Sequence, residues 1–243
     1  DYPPAARELL GEAAAAAVLF TGHTKVDGRL SIQIRGERGL RTLFAECTAA
    51  GTVRGIVQLT EGQDAPRDLR DLGRDALLAI TIENPGLDPR EPQRYQSLVG
   101  LDASRLAEAF EDYFRQSEQL PTRLLLAAGG GRAGGLMLQK LPGDEGDDDG
   151  WNRVGALFDT LAEAELLATP VPVLLHRLFH EESPQLLGEK PLAFACSCSR
   201  GRVAEVLASL GPEEGRATAV DGRAEVHCDF CGKASVFLAL IHI

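Results

Sequence analysis

Two pairs of cysteines near the carboxyl end of the chain have the clearest capacity for chemistry. Cys196 and Cys198 form a C-x-C motif, and after 29 intervening residues Cys228 and Cys231 form a C-x-x-C motif. Two thiolates from each pair can meet around one metal ion, and four sulfur ligands in a tetrahedron are typical of closed structural Zn²⁺ sites. The spacing therefore predicts that these four cysteines bind zinc.

The same four sulfurs suit other chemistry, so alternatives stay open at this point. Two disulfides within the pairs would remove the ligands and make the cluster a redox switch. Most four-cysteine zinc sites are inert, which favours structural zinc over a switch, and a catalytic zinc would need an open ligand position. A thiol–disulfide oxidoreductase that uses Cys228 and Cys231 is a further alternative. Such an enzyme would carry its C-x-x-C motif at the start of a helix in a βαβ unit.

Other chemically suggestive residues favour structural interpretations. His176 and His180 stand four apart on a predicted helix, but no Glu directly follows His176, so the zinc-peptidase motif H-E-x-x-H is missing. We interpret both as solvated or helix-end histidines. The run GGGRAGG at 129–135 lacks the Lys-Ser/Thr of a phosphate loop and predicts a hairpin turn. No catalytic constellation is found, which indicates a protein that is not an enzyme.

Charge and composition restrict the partners. The 243 residues carry a formal net charge of −11, which disfavours nucleic acid and anionic membranes. Residues 191–243 hold five basic against six acidic side chains, so the cysteine segment is close to neutral. No apolar run reaches the roughly 18 residues of a membrane span. Five cysteines, four of them clustered, favour a reducing, cytoplasmic compartment over a secreted disulfide scaffold.

The first 142 residues predict an α+β domain around a mostly antiparallel sheet. An Ala- and Leu-rich helix is expected over 5–20. Leu30, Ile32 and Ile34 alternate with polar residues, which is the period of a half-buried strand. Further strands are predicted at 40–47, 52–59, 76–83, 94–101, 123–128 and 135–141, and a second helix at 105–119, preceded by possible caps at 102–104.

Two smaller regions are expected after this domain. Residues 143–190 begin with an acidic, glycine-rich linker and continue into two predicted helices with apolar faces, one of them marked by Val154, Leu157, Phe158 and Leu161. Residues 191–243 carry the cysteines and few large apolar side chains. A module of about 50 residues with so little core needs a metal to fold, so we expect a small zinc-binding domain.

Several segments of the chain resemble one family. The blocks FACSCSRGRV and VHCDFCGK resemble the zinc centre of the 33 kDa chaperonin family, the redox-regulated heat-shock holdases. Five earlier segments of the chain also resemble the family and occur in the family's order: KVDGRLSIQIRG (25–36), RYQSLVGL (94–101), DYFRQSEQLPTRL (112–124), AGGLMLQKLP (133–142) and LLHRLFHEE (174–182). Members of that family carry a further stretch before a DYPP-like segment, at which this chain begins.

The resemblance implies a specific cycle and reverses the preference for structural zinc. One Zn²⁺ per chain would be held in the reduced, inactive form. Oxidants would link Cys196 to Cys198 and Cys228 to Cys231, zinc would leave, and the cysteine domain would unfold. The chain would then bind unfolded client proteins without ATP and form a homodimer. The alternative kept beside this is a zinc-ribbon module that binds protein or RNA with purely structural zinc.

Overall fold

The chain folds into two compact units. A computed structural model describes residues 2–24, 26–86, 88, 91–143, 147, 149–209 and 222–238. The units comprise Asp1–Ala193 and Phe194–Ile243. The first combines antiparallel sheets with helices and the second contains a helix, a hairpin and the four clustered cysteines. The predicted α+β class is confirmed.

The first unit is built on an antiparallel sheet with the strand order β5-β4-β1-β2-β3. Leu30, Ile32 and Ile34 are all fully buried, as their alternation predicts, because successive side chains of a strand point to opposite faces. The strands are β1 (Arg29–Arg35), β2 (Leu40–Thr48), β3 (Thr52–Leu59), β4 (Leu77–Asn84) and β5 (Gln93–Gly100).

Helix α1 (Pro4–His23) lies at the centre of the first unit's core. Pro4 opens the helix, where its missing N–H costs nothing. The fully buried alanines of α1 allow close approach to neighbouring strands, and Phe20 meets Phe110 and Phe114 edge to face at centroid distances of 4.8 and 5.2 Å. These contacts join α1 to the segment that follows the sheet.

That segment differs from its prediction. The expected helix over 105–119 is an α-helix, α2, only from Leu106 to Tyr113, and it widens into a π-helical turn over Phe114–Glu118. The wide turn brings the Glu118 carboxylate to the Tyr113 hydroxyl, which donates to Oε1 at 2.7 Å, while Phe114 stays buried. Tertiary packing and this hydrogen bond favour the irregular turn. Neither can be read from the helical pattern of the sequence.

A second hairpin packs against α1 and confirms the predicted glycine turn. It consists of β6 (Thr122–Gly129) and β7 (Arg132–Gln139). Gly130 and Gly131 form the two-residue loop with φ angles of 57° and 76°, the conformation of a type I′ turn, which strongly favours glycine. The run GGGRAGG therefore turns the chain.

Residues 150–182 contain three α-helices and a short 3₁₀ turn (His180–Glu182) where two helices were predicted. The α-helices are α3 (Gly150–Phe158), α4 (Glu163–Ala168) and α5 (Val171–Phe179). Arginines of the preceding elements bind this region: Arg123 donates to Asp159 at 2.6 Å, Arg105 pairs with Glu163, and Arg132 donates to the Leu167 carbonyl at 3.1 Å. The break between α3 and α4 thus coincides with the Asp159 contact.

Apolar contacts accompany these polar ones. Carbon atoms of Leu166 and Leu167 lie 3.6 and 3.7 Å from where a Cβ on Gly134 would stand. The absence of side chains along this part of the hairpin lets α4 pack directly on its backbone.

The second unit holds less regular structure. A two-residue strand, β8 (Ala193–Phe194), stands where the units join, and α6 (Arg200–Ser209) and a hairpin of β9 (Arg223–His227) and β10 (Ala234–Leu238) follow. Among its described residues only Leu207 and Ala224 are buried hydrophobic side chains. Apolar burial alone therefore contributes little to the stability of this unit. No helix in the described parts of either unit is long and apolar enough to cross a bilayer.

Candidate metal centre

The four cysteines lie on two turns of the second unit. Cys196 and Cys198 occupy the irregular segment between β8 and α6, and Cys228 and Cys231 occupy the turn between β9 and β10. Backbone hydrogen bonds hold the second turn: the Cys228 amide donates to the Lys233 carbonyl at 3.1 Å, and the Gly232 amide donates to the Cys228 carbonyl at 2.7 Å. Gly232 has a φ of 69°, which suits a residue without a side chain.

The structure brings all four sulfur atoms together. They lie within 4.8 Å of one another, with Cys196 Sγ 3.6 Å from Cys228 Sγ and Cys198 Sγ 3.4 Å from Cys231 Sγ. A tetrahedral Zn²⁺ site with Zn–S bonds of about 2.3 Å requires sulfur separations of about 3.8 Å. None of the four cysteines forms a disulfide bond. The cluster therefore has a geometry that can hold a metal ion.

Hydrogen bonds shift the pKa values of Cys196 and Cys198 in opposite directions. Burial opposes ionisation of Cys196, but the Cys198 amide and the neighbouring thiols lower the pKa of Cys196 to about 7. Hydrogen bonding with the Cys231 and Cys196 sulfurs raises the pKa of Cys198 to about 12. Four thiolates this close would repel one another, so complete ionisation of the set requires a bound cation. The donor set thus fits a soft or borderline divalent metal.

Two arginines assemble the turns around the cluster. Arg200 donates to the Val236 carbonyl at 2.7 Å and lies 4.4 Å from the Phe237 ring centroid, so it links the start of α6 to β10. Arg202 donates to the Ser197 carbonyl at 3.0 Å, between the two cysteines of the first pair. Both side chains position the ligand-bearing backbone. Neither contact follows from the spacing of the cysteines in the sequence.

The other candidate residues lie outside this cluster. The rings of His176 and His180 are 5.2 Å apart, and His180 Nδ1 lies 3.0 Å from the His176 carbonyl oxygen. His227 Nε2 lies 3.1 Å from a Glu225 carboxylate oxygen. Cys47 is buried in the first unit, and burial raises the pKa of its thiol. In the described ranges, only the four clustered cysteines bring three or more candidate metal ligands together.

The sequence also matches a known family over nearly its whole length. The family model described as Hsp33 protein matches residues 1–237. The chain belongs to the Hsp33 family. The 33 kDa chaperonin of Ectopseudomonas mendocina is 44% identical over 244 residues, covering 97% of this chain and 81% of the relative. The 33 kDa chaperonin of Hahella chejuensis is 43% identical over 235 residues, covering 95% and 81%.

A solved Hsp33 structure shows the same fold. The Thermotoga maritima 33 kDa chaperonin superimposes with a TM-score of 0.75 at 21% identity, covering 98% of this chain and 84% of that chain. The four-cysteine cluster therefore belongs to a member of a chaperone family, and the resemblance drawn from its sequence segments is confirmed.

Proposed function

We propose that this Hsp33 chain is a redox-regulated, ATP-independent holdase that binds unfolded proteins under oxidative stress. In its reduced form Cys196, Cys198, Cys228 and Cys231 hold one Zn²⁺, and the chaperone is inactive. Oxidation releases the zinc and exposes a surface for clients. The protein works in the cytoplasm, is not an enzyme, and has neither nucleic acid nor membrane as a partner, in keeping with its net charge of −11.

One observation carries the proposal: four sulfurs lie within 4.8 Å in a unit whose described residues include only two buried hydrophobic side chains. In such modules the free energy of metal binding is the free energy of folding. Removing the ligands therefore unfolds the domain, which couples thiol chemistry to structure. A purely structural zinc ribbon would use the same geometry, so the coupling to client binding is what must be tested.

Oxidation of the thiolates to disulfides provides a route to metal release. With hypochlorous acid, one thiolate displaces hydroxide from the oxidant and becomes a sulfenyl chloride, and its partner thiolate then displaces chloride to form the disulfide. Forming each disulfide therefore consumes one HOCl, which takes two electrons from the two thiolates and ends as hydroxide and chloride. We assign the pairs Cys196–Cys198 and Cys228–Cys231. Disulfide sulfurs carry no negative charge and no longer bind zinc.

Three regions take distinct roles in this scheme. Residues 1–142 form the chaperone core, 143–190 the acidic linker with its helices, and 191–243 the zinc-binding redox switch. The linker helices pack on the β6–β7 hairpin through Leu166 and Leu167. Their release would uncover apolar surface on both sides of that contact, which is what capture of non-native chains requires. Newly exposed surface of this kind would also support formation of a homodimer on activation.

The test combines zinc release with chaperone activity. Reduced, zinc-loaded protein is treated with hypochlorite, zinc is followed with a chromogenic chelator, and suppression of the aggregation of a heated client is measured without ATP. We expect zinc release and suppression to rise together and to reverse with dithiothreitol and zinc. Zinc release without suppression would reject the holdase. Suppression that is equal before and after oxidation would reject the redox control.

A further inference from the structure

Two histidines lie beside each other at the carboxyl end of α5. His176 is in the last turn of the helix and His180 is its cap, and their ring centroids are 5.2 Å apart. Side chains at positions i and i+4 of a helix share one face, as the paired histidines of helical zinc sites do. Two imidazoles bound to one tetrahedral metal ion, with metal–nitrogen bonds of about 2.0–2.1 Å, have ring centroids about 5 Å apart. The separation of the rings therefore fits two ligands of one ion.

A hydrogen bond to the backbone prepares the ring of His180 for metal binding. His180 Nδ1 lies 3.0 Å from the His176 carbonyl oxygen. A carbonyl oxygen can only accept, so Nδ1 carries a proton and donates it, and Nε2 of the neutral ring keeps its lone pair. Histidines that bind metals usually donate their other ring N–H to a carbonyl or a carboxylate, which orients the ring. His180 already makes this outer contact of a metal ligand.

Both rings are accessible to an ion. His176 and His180 are exposed, whereas Leu174 and Phe179 of the same helix are buried. The helix is thus held by its other face, and the histidines can bind an ion without disturbing the core.

The charges of this region favour a cation. Glu181 directly follows the second histidine and is exposed. Two arginines are each paired with a carboxylate: Arg177 Nη1 lies 3.4 Å from Glu165 Oε1, and Arg153 Nε lies 2.6 Å from Glu182 Oε1. The carboxyl end of a helix also carries partial negative charge, which attracts cations. Neither arginine therefore brings an uncompensated positive charge to the histidines.

We propose that His176 and His180 form a second metal site, which binds one divalent transition-metal ion of the kind that prefers imidazole, such as Ni²⁺, Cu²⁺ or Zn²⁺. Each ring supplies one nitrogen, and water completes the coordination. With two protein ligands, the site binds more weakly than the four-cysteine centre and exchanges its ion with the solution. Zinc that stays with the chain through purification therefore belongs to the cysteines. The second site does not depend on the proposed holdase function.

A bound ion would staple the end of α5. Both rings reach one ion only while residues 176–180 keep a helical turn, so binding favours the helix over the unfolded chain. The last helix of the region 143–190 would then gain stability from metal that the cysteines do not hold.

The test titrates Ni²⁺ into the reduced, zinc-loaded chain, carrying no affinity tag, in a calorimeter. Ni²⁺ is the probe because Cu²⁺ would oxidise thiols, and the cysteines already hold zinc. We expect one Ni²⁺ per chain. His176→Gln and His180→Gln should each weaken binding at least tenfold, since losing only the outer partner of a metal ligand lowers affinity by about 10–100-fold. His23→Gln is the matched control, because His23 is an exposed histidine in the last turn of α1, and it should leave binding unchanged.

Hydrogen exchange locates the bound ion. In the wild type, Ni²⁺ should slow the exchange of amides within 175–180, and in His176→Gln and His180→Gln it should not. Equal Ni²⁺ affinity in the wild type and both variants would overturn the site, as would unchanged exchange at the end of α5. Loss of affinity in only one of the two variants would identify a single ligand and would also overturn the paired site. An equal loss in His23→Gln would place the ion elsewhere.

Discussion

At the scale of single residues, proximity makes the four thiols a unit. Burial opposes ionisation of Cys196, but hydrogen bonds from neighbouring groups lower its pKa, whereas hydrogen bonding with the Cys231 and Cys196 sulfurs raises the pKa of Cys198. Ionising all four together requires a cation, so metal affinity and thiol chemistry depend on the same atoms. The fifth cysteine, Cys47, is buried and is not part of the cluster, which makes it an internal control.

Replacing one ligand tests the metal set. Cys228→Ser is expected to abolish tight zinc binding, because a serine hydroxyl is a poor substitute for a thiolate. Zinc content per chain, measured by atomic absorption on reduced protein, should fall from one to near zero. Cys47→Ser should retain one zinc. Full zinc occupancy in Cys228→Ser would remove this residue from the ligand set.

The oxidised pairing is also a property of individual residues. Once zinc is lost, the partners within each pair stay two or three residues apart in the chain, whereas crossed pairs would have to close long loops. Peptide mapping of hypochlorite-treated protein should therefore recover Cys196–Cys198 and Cys228–Cys231. Recovery of Cys196–Cys228 and Cys198–Cys231, whose sulfurs are 3.6 and 3.4 Å apart, would show that oxidation precedes metal loss and preserves the assembled cluster.

A buried carboxylate in α1 makes stability depend on pH. Burial raises the pKa of Glu12, although the ion pair with Arg67 acts in the opposite direction. In that pair Arg67 Nη2 lies 2.6 Å from Glu12 Oε1. The folded state thus holds the Glu12 proton more tightly than the unfolded state does. Ionised Glu12 costs stability at neutral pH, and that cost disappears as the pH falls below the ordinary value of 4.5.

Glu12→Gln should therefore raise the free energy of unfolding at pH 7 relative to wild type, and the difference should shrink towards pH 4. Urea titrations at several pH values measure it. A variant that is less stable at pH 7 would show that the ion pair outweighs the desolvation of Glu12.

At the scale of elements, the packing of α1 on the second hairpin depends on a glycine. A Cβ on Gly11 would stand 2.6 Å from the Ala128 Cβ, closer than carbon atoms can approach. Gly11→Ala should therefore lower the free energy of unfolding by about 1–3 kcal/mol, although alanine favours helix by about 1 kcal/mol. Chemical denaturation followed by circular dichroism measures the change.

Gly22, on the same helix, is the matched control. A Cβ there meets no atom within 4 Å, so Gly22→Ala should stabilise the protein by up to about 1 kcal/mol. If both substitutions were stabilising, the close contact at Ala128 would not constrain α1.

The hydrophobic periodicity of the sequence predicted the helices and strands that have a buried face. It failed where tertiary contacts determine the local structure. The predicted strand 52–59 is β3, and alternation at Leu30, Ile32 and Ile34 identified β1, because burial imposes the period of the strand. The π-helical turn after Tyr113 depends on contacts with Phe20 and Glu118, which lie outside local periodicity. Helix α6 was not predicted, because within its described residues only Leu207 is buried.

The same distinction applies to the candidate site. Spacing of the cysteines predicted a cluster, since two close pairs can converge on one ion. It did not show that Arg200 connects α6 to β10 or that Arg202 holds the Ser197 carbonyl, because these hydrogen bonds join elements that only the fold brings together. The region 210–221, which separates the pairs, lies outside the described residues.

At the scale of the whole molecule, the two units differ in what stabilises them. The first has a large apolar core around α1 and the sheet, and the second has only two buried hydrophobic side chains among its described residues. Metal should therefore matter to one unit and hardly to the other.

Chelation under reducing conditions separates metal loss from disulfide formation. A high-affinity zinc chelator with dithiothreitol should abolish amide protection in β9 and β10 and leave β1 and β4 protected, because only the second unit needs the metal. Hydrogen exchange with mass spectrometry measures both regions in one sample. Equal loss of protection in both units would mean that the first unit depends on the metal as well, and intact protection in the hairpin would mean that the second unit folds without it.

The turn between β9 and β10 bears on the order in which the proposed metal centre would re-form after oxidation. Two of its backbone hydrogen bonds and the positive φ of Gly232 are local, so this half of the centre can re-form within a few residues. The half that carries Cys196 and Cys198 takes its place through Arg200, which contacts the hairpin. In the proposed redox cycle, the hairpin would therefore re-form first when reductant and zinc return, and the segment with Cys196 and Cys198 would assemble on it.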